Sequence, residues 1–234
     1  MDQIVPRTAD VLPSAPEWRK SGPEAEERVV RLITEAIQQN RLQPGDRLVE
    51  RELSDGAVAN RQAVRQGLAR LAQAGLVVLT PNRGATVVQY SPETIRQIMQ
   101  ARIVNEGAAL RDLAETMDDA GRDRLVDILR REAAAYDDGR VTEARHLSRA
   151  FHATVMELAG NEMMTRFVNE LIACQPLLGN SRTGKQSSFS GVIAHTRTVA
   201  ALLRKDGAEA EAINTQLLLA LEREFLREAT AEPG

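Results

Sequence analysis

From Pro23 onward, apolar residues recur at helical spacing: Val29, Val30, Ile33 and Ile37 form one stripe, and Glu24, Glu26 and Glu27 open the segment beside a proline. The pattern predicts a helix that ends near Asn40. Leu42-Gln43-Pro44-Gly45-Asp46 carries turn chemistry, and Val49-Glu50-Arg51-Glu52-Leu53 starts a second, short helix that Gly56 stops. Asn60 then stands as the N-cap of a third helix, in which Val64, Leu68 and Leu71 fall at i, i+4 and i+7. Arg61 and Arg65 share one face of its opening turns. After Gly75 the period changes. Leu76-Val77-Val78-Leu79 and Thr86-Val87-Val88-Gln89 are short β-prone runs flanking Thr80-Pro81-Asn82-Arg83-Gly84-Ala85, which predicts a hairpin with an arginine at its tip.

Three helices followed by a hairpin predict a winged helix-turn-helix over residues 21–91. The second half is helical throughout. Ser91-Pro92-Glu93 supplies an N-cap, a proline and an acid, and Ile95, Ile98, Met99, Ile103 and Leu110 lie on one side of the helix that follows. Further helical patterns at 119–137, 141–159, 162–179, 189–205 and 208–229 are separated by Asp-Asp-Gly, Gly-Asn, a Ser/Gly-rich stretch and Asp-Gly. The fold class is therefore mainly α, with residues 92–230 forming an antiparallel bundle of about six helices. Residues 1–20 hold Pro6, Pro13 and Pro16 with little periodicity and read as a flexible arm, with Trp18 as its one anchor.

Composition supports this division and narrows the chemistry. With 234 residues, 43% hydrophobic and 27% charged, the chain is neither disordered nor too small for a core. At 3% aromatic it lacks the side chains of a β-sandwich. No apolar run approaches the roughly 18 residues a membrane span needs, and the first 20 residues have no signal-peptide pattern, so a cytoplasmic location is expected. Cys174, the single cysteine, sits in an apolar stretch and reads as a small core residue. The net charge of −3 conceals an asymmetry: Gly56 to Pro92 contains no acid but holds Arg61, Arg65, Arg70 and Arg83, whereas residues 93–234 carry 18 basic and 22 acidic groups. Such a segment is either a solvated face or a surface for nucleic acid.

A helix N-terminus bearing arginines suits the major groove, about 12 Å wide, where one guanidinium can donate two hydrogen bonds to guanine O6 and N7. The motif Arg41-Leu42-Gln43-Pro44-Gly45-Asp46-Arg47-Leu48-Val49-Glu50-Arg51-Glu52-Leu53, then Asn60-Arg61-Gln62-Ala63-Val64-Arg65-Gln66-Gly67-Leu68, Gly75-Leu76-Val77 and Pro81-Asn82-Arg83-Gly84-Ala85 resembles the GntR family of bacterial transcription regulators. The resemblance implies a double-stranded DNA operator contacted by Arg51, Arg61 and Arg65, with Asn60 and Gln62 beside them and Asn82, Arg83 and Gly84 at the wing tip. The sequence departs from the family at two points. The usual Gly-Val-Ser-Arg entry is Val58-Ala59-Asn60-Arg61, and the usual Pro and Ala around the Val-Arg pair are Ala63 and Gly67.

The second half resembles the FCD domain of the FadR subfamily, through His152 with Leu158-Ala159-Gly160-Asn161 and through His195. Members of that family often hold a divalent metal with an Asp and three His; the same spacing here meets Ser148, His152, His195 and Leu217. Two of four ligands are missing, and the expectation is no metal cofactor. Arg102, Ser148, His152 and His195 are then candidates for an effector pocket, the two histidines being either pocket-lining or satisfied core residues. Arg102 and Glu106 match a pair common in FCD domains, which implies a cavity role; an i, i+4 pair on a helix surface is the alternative. No nucleophile elbow or phosphate loop accompanies the histidines, so the chain is not expected to be an enzyme. The resemblance as a whole implies a homodimeric regulator that reads a pseudo-palindromic operator and responds to a small organic metabolite.

Overall fold

The computed structural model describes residues 22–81, 84–179 and 190–230. They divide into two compact units, residues 22–90 with 176–179 and residues 91–175 with 190–230.

In the first unit, α1 (Pro23–Gln38) buries Ala25, Val29, Leu32, Ile33, Ala36 and Ile37. Val30 lies at the edge of this face, and Leu32 and Ala36 complete it. The turn after α1 is closed by the Gln43 backbone N–H donating to Asp46 Oδ2 at 2.8 Å, with Gly45 at φ +84°. A two-residue strand β1 (Arg47–Leu48) follows, between the predicted turn and the predicted second helix, where sequence patterning names no element. It pairs with the hairpin strand β3 (Gly84–Val87), which also pairs with β2 (Val77–Thr80), in an antiparallel sheet of order β1-β3-β2. The register sets Leu48 and Leu79 opposite Ala85, and Thr80 opposite Gly84. Pairing therefore begins closer to the tip than the β-prone run at Thr86 suggests.

Between β1 and β2 lie α2 (Glu50–Gly56) and α3 (Arg61–Gln73). The turn joining them is fixed at both ends. Asn60 Oδ1 accepts the Ala63 N–H at 2.8 Å and so caps α3, while Arg28 of α1 donates to the carbonyl of Val58, which has φ +47°. Gly67 lets α3 sit directly on α1, because a Cβ there would lie 2.9 Å from Val29 Cγ1.

The second unit contains α4 (Pro92–Thr116), α5 (Asp119–Asp137), α6 (Val141–Leu158), α7 (Glu162–Cys174), α8 (Ser190–Leu203) and α9 (Gly207–Thr230). Ser91, Asp118 and Asn161 cap α4, α5 and α7 through side-chain oxygens. The helix predicted to run to 179 stops at Cys174, and Gln175–Leu177 forms a 3₁₀ turn because Pro176 has no N–H with which to continue the α-helical ladder. The long helices α4 and α9 run antiparallel: Glu106 meets Asn214, Gly107 meets Glu211, and a Cβ on Gly207 would come within 2.8 Å of Arg111 Cα. Leu110, Leu113, Leu125, Phe151, Val155, Val199, Leu202 and Ile213 form the main core of this unit.

Candidate nucleic-acid interface and buried polar centre

The α2 and α3 helices present the first candidate surface. Arg51, Asn60, Arg61, Gln62 and Arg65 are all exposed, whereas Ala63, Val64, Gly67, Leu68 and Leu71 of α3 are buried. Arg51 and Arg61 make no hydrogen bond or ion pair among the described residues. Arg65 donates through Nε to both carboxylate oxygens of Glu50, the first residue of α2, at 3.1 and 3.0 Å. Arg70, the third arginine of the acid-free stretch, turns away from this face. Glu27 and Glu26 of α1 accept from its Nη1 at 2.8 and 3.1 Å, and these hydrogen bonds raise its already high pKa. The local basic charge thus divides: Arg65 is held by Glu50 with its terminal edge exposed beside Arg61, whereas Arg70 is tied to α1. Gly84 opens β3 at φ +89°, and Asn82 and Arg83 lie outside the described residues.

The second unit buries a chain of charged and polar groups. Arg102 of α4 is fully buried and donates from Nε to Glu106 Oε1 at 2.7 Å and from Nη1 to Gln175 Oε1 at 2.6 Å. Glu106 Oε2 accepts from His152 Nδ1 at 2.9 Å and from Asn214 Nδ2 at 3.1 Å. His152 Nε2 faces His195 Nε2 at 3.3 Å, and His195 Nδ1 lies 2.9 Å from Glu132 Oε2. Five helices contribute: α4, α5, α6, α8 and α9. Phe151 stacks on the His195 ring with centroids 4.3 Å apart and meets His152 edge-on, closing one side of the pair with hydrocarbon.

The electrostatics follow from this packing. Burial alone would raise the Glu106 carboxyl, but the Arg102 charge and His152 outweigh it and hold the pKa down to about 2. Burial pushes His152 below its ordinary value against the opposing pull of Glu106. A neutral His152 whose Nδ1–H is given to an ionised carboxylate has only a lone pair at Nε2. The 3.3 Å contact is a hydrogen bond only where His195 carries a proton on Nε2.

The surface-pair alternative for Arg102 and Glu106 is thus excluded, both being inside the bundle. The structure brings Arg102, His152 and His195 into one network. Ser148, one turn before His152, is half-buried and joins it through no hydrogen bond among the described residues. Sequence reasoning missed Glu132, Gln175 and Asn214. For Glu132 a signal existed, since it falls in register with Leu125 and Leu129 on the buried face of α5, where a charge requires a partner.

The donors present do not fit the four-ligand metal set that the FCD resemblance implies. Leu217 carries no donor atom, Ser148 offers a neutral hydroxyl, and no group of three or more His, Cys, Asp or Glu among the described residues could hold a metal ion. Two imidazoles fall short of the three or four protein ligands a divalent site normally recruits.

A winged helix-turn-helix with outward-facing arginines, followed in one chain by a domain with six α-helices among its described residues, defines a DNA-binding transcription regulator. Residues 25–87 match the family of bacterial regulatory proteins, gntR family, and residues 97–230 match the FCD domain. The chain belongs to the GntR family of transcription regulators and carries an FCD domain. It is 35% identical over 82 residues to an uncharacterised HTH-type transcriptional regulator of Agrobacterium vitis, a match covering 35% of this chain and 48% of that protein. The chain thus spans about half the length of that relative. To the HTH-type transcriptional regulator LutR of Bacillus subtilis it is 24% identical over 200 residues, covering 75% of this chain and 90% of LutR. Its fold is also that of E. coli McbR/YncC, with a TM-score of 0.74 at 16% identity over 84% of this chain and 94% of that one. Among the described residues no helix is long and apolar enough to cross a membrane.

Proposed function

We propose that this regulator binds its operator as a homodimer through α3 and the wing, and that a small carboxylate-bearing metabolite binds against Arg102 and changes its DNA affinity. On the DNA side, Arg61, Gln62 and Arg65 enter the major groove. Arg51 and Asn60 flank them, and the wing, at Gly84, reaches the neighbouring backbone. On the sensing side, Arg102, His152 and His195 hold the ligand without a metal, with Ser148 adding a hydroxyl.

The observation that carries the sensing half is the state of the Arg102 guanidinium. It is fully buried, its Nε and Nη1 are satisfied, and its Nη2 has no hydrogen-bond partner among the described residues. An orphaned buried donor on a cation costs about 1–3 kcal/mol or more, and an entering carboxylate would remove that cost with a charge-assisted bond. Binding alters DNA affinity only if the ligand binds the DNA-competent and incompetent states unequally.

The test is a thermal-shift survey of small carboxylates and their neutral amides against the wild type and Arg102→Lys, followed by a mobility-shift titration with any hit. A ligand at 100 times its dissociation constant stabilises by about 2.7 kcal/mol. The reading predicts a shift with an acid, none with its amide, loss of the shift in Arg102→Lys, and a change in DNA retardation. A panel that shifts neither protein, or shifts both equally, overturns the effector assignment.

A further inference from the structure

A carboxylate on a surface that meets phosphates weakens general attraction to DNA, so an acid held there needs a reason. Glu50 stands at the first position of α2, where the helix dipole favours an acid. That accounts for a negative charge near the α2 terminus but not for its aim. Both Glu50 oxygens straddle Arg65 Nε, at 3.1 and 3.0 Å, although the two residues lie on different helices, 15 positions apart. The pair is also exposed, with Arg65 at 69% and Glu50 at 33%, and exposed ion pairs contribute little to stability. What the contact does determine is direction. With Nε occupied by Glu50, the Arg65 Nη1 and Nη2 groups make no hydrogen bond among the described residues, and the guanidinium is left with its terminal edge outward. That edge presents two parallel N–H donors, the pattern that matches guanine O6 and N7. An unrestrained arginine would instead swing freely and settle on the nearest phosphate.

We propose that Glu50 is a positioning residue that sets base specificity: it clamps Arg65 by its Nε edge so that the Nη1/Nη2 edge reads a guanine in the major groove. This rests on the reading above that Arg65 enters the groove. Loss of Glu50 should act in two opposite directions. Discrimination for guanine falls because Arg65 is no longer aimed, while binding to arbitrary sequence tightens because a negative charge has left the interface.

The experiment uses the full chain and a random-sequence duplex library. Fragments selected by the wild type define the preferred bases, and binding of single-base variants of the best fragment is then measured for wild type, Glu50→Ala, Glu50→Gln, Arg65→Ala and the double variant. The expected result is loss of roughly tenfold discrimination for guanine at one position per half-site in Glu50→Ala, the magnitude of a bidentate base contact. Arg65→Ala should lose it at the same position, and the double variant should lose no more than Arg65→Ala. Random duplex should be bound more tightly by Glu50→Ala than by the wild type. Glu50→Gln, which keeps an acceptor oxygen, should retain part of the preference, and it serves as the folded variant if Glu50→Ala does not fold. A uniform change across all sequences with Arg65→Ala still losing guanine preference overturns the clamp alone. Full preference retained in Arg65→Ala, or no sequence selected by the wild type, overturns the groove assignment beneath it and the clamp as well.

Discussion

His152 and His195 point their Nε2 atoms at each other across 3.3 Å, while the Nδ1 of each is held by a different carboxylate, Glu106 for one and Glu132 for the other. Each imidazole is thereby locked in orientation at both ring nitrogens, and the charge of the bundle interior is carried by a relay rather than by isolated groups. Removing a member leaves its neighbours buried and unpaired, so the network makes sharp predictions.

Acidification should destabilise the helical domain. The Glu106 carboxyl sits at about 2 in the folded chain against 4.5 ordinarily, so the unfolded chain takes up the proton first as pH falls. Its contribution is full above about 4.5 and drains away as pH falls towards 2. His152 is lowered from 6.5, so below that pH the unfolded imidazole protonates while the buried one stays neutral, and stability again falls with pH. Both slopes have the same sign. Urea midpoints measured from pH 7.5 to 4 should decline throughout, and midpoints that are flat or rise on acidification would contradict the assigned protonation states.

Glu106→Ala should cost about 3–5 kcal/mol, because it strands the Arg102 charge inside the bundle. His152 and Asn214 lose a partner in the same step. Adding Arg102→Met to Glu106→Ala should recover part of the loss, since an apolar side chain leaves no buried charge. Denaturant titrations of the two variants check this, and an equally or more unstable double variant would show that Arg102 is satisfied without Glu106.

How much of this was legible in sequence depends on the distance over which each feature is determined. The Asn60 and Ser91 caps, the α3 stripe of Val64, Leu68 and Leu71, and the outward setting of Arg61 and Arg65 are local and follow from spacing. The short strand at Arg47–Leu48 has no periodicity of its own and exists because β3 offers a free edge. The relay was half-legible. His152, His195 and Arg102 could be named from family spacing, but Gln175 and Asn214 enter from 73 and 108 positions away from their partners, and only packing brings them there. Arg70 belongs by sequence to the basic stretch, and only packing brings the carboxylates of Glu26 and Glu27 beside it.

Gly67 should resist conversion to Ala. A Cβ would lie 2.9 Å from Val29 Cγ1 and 3.0 Å from Val29 Cβ, which is branched and cannot swing aside. Overpacking of this kind costs about 1–3 kcal/mol, more than the roughly 1 kcal/mol of helix propensity that Ala supplies. In a Val29→Gly background both contacts are gone, and the penalty of Gly67→Ala should disappear. Thermal melts of the four proteins decide it, and a Gly67→Ala gain in the wild-type background would refute the steric account.

Metal content should follow the donor count. Protein incubated with zinc or nickel and then dialysed should retain less than one equivalent by elemental analysis, because His152 and His195 supply two donors where the family's set supplies four. A full equivalent that disappears in His195→Ala would show that water or other groups complete a site after all.

The arginines of the acid-free stretch should separate by their partners. Arg61 has none among the described residues and Arg65 presents its terminal edge, so either Arg61→Ala or Arg65→Ala should weaken binding to a selected duplex by about 1–3 kcal/mol where the contact is to a base. A contact to phosphate instead weakens all sequences alike and reduces the salt slope by about 0.9 per phosphate lost. Arg70 is already neutralised by Glu26 and Glu27 and faces α1, so Arg70→Ala should leave both affinity and salt slope unchanged while lowering the melting temperature slightly. Fluorescence anisotropy with one duplex at several salt concentrations measures all three variants together. Equal losses across the three would mean that binding responds to net charge alone, and the division between outward and fold-bound arginines would have no bearing on DNA recognition.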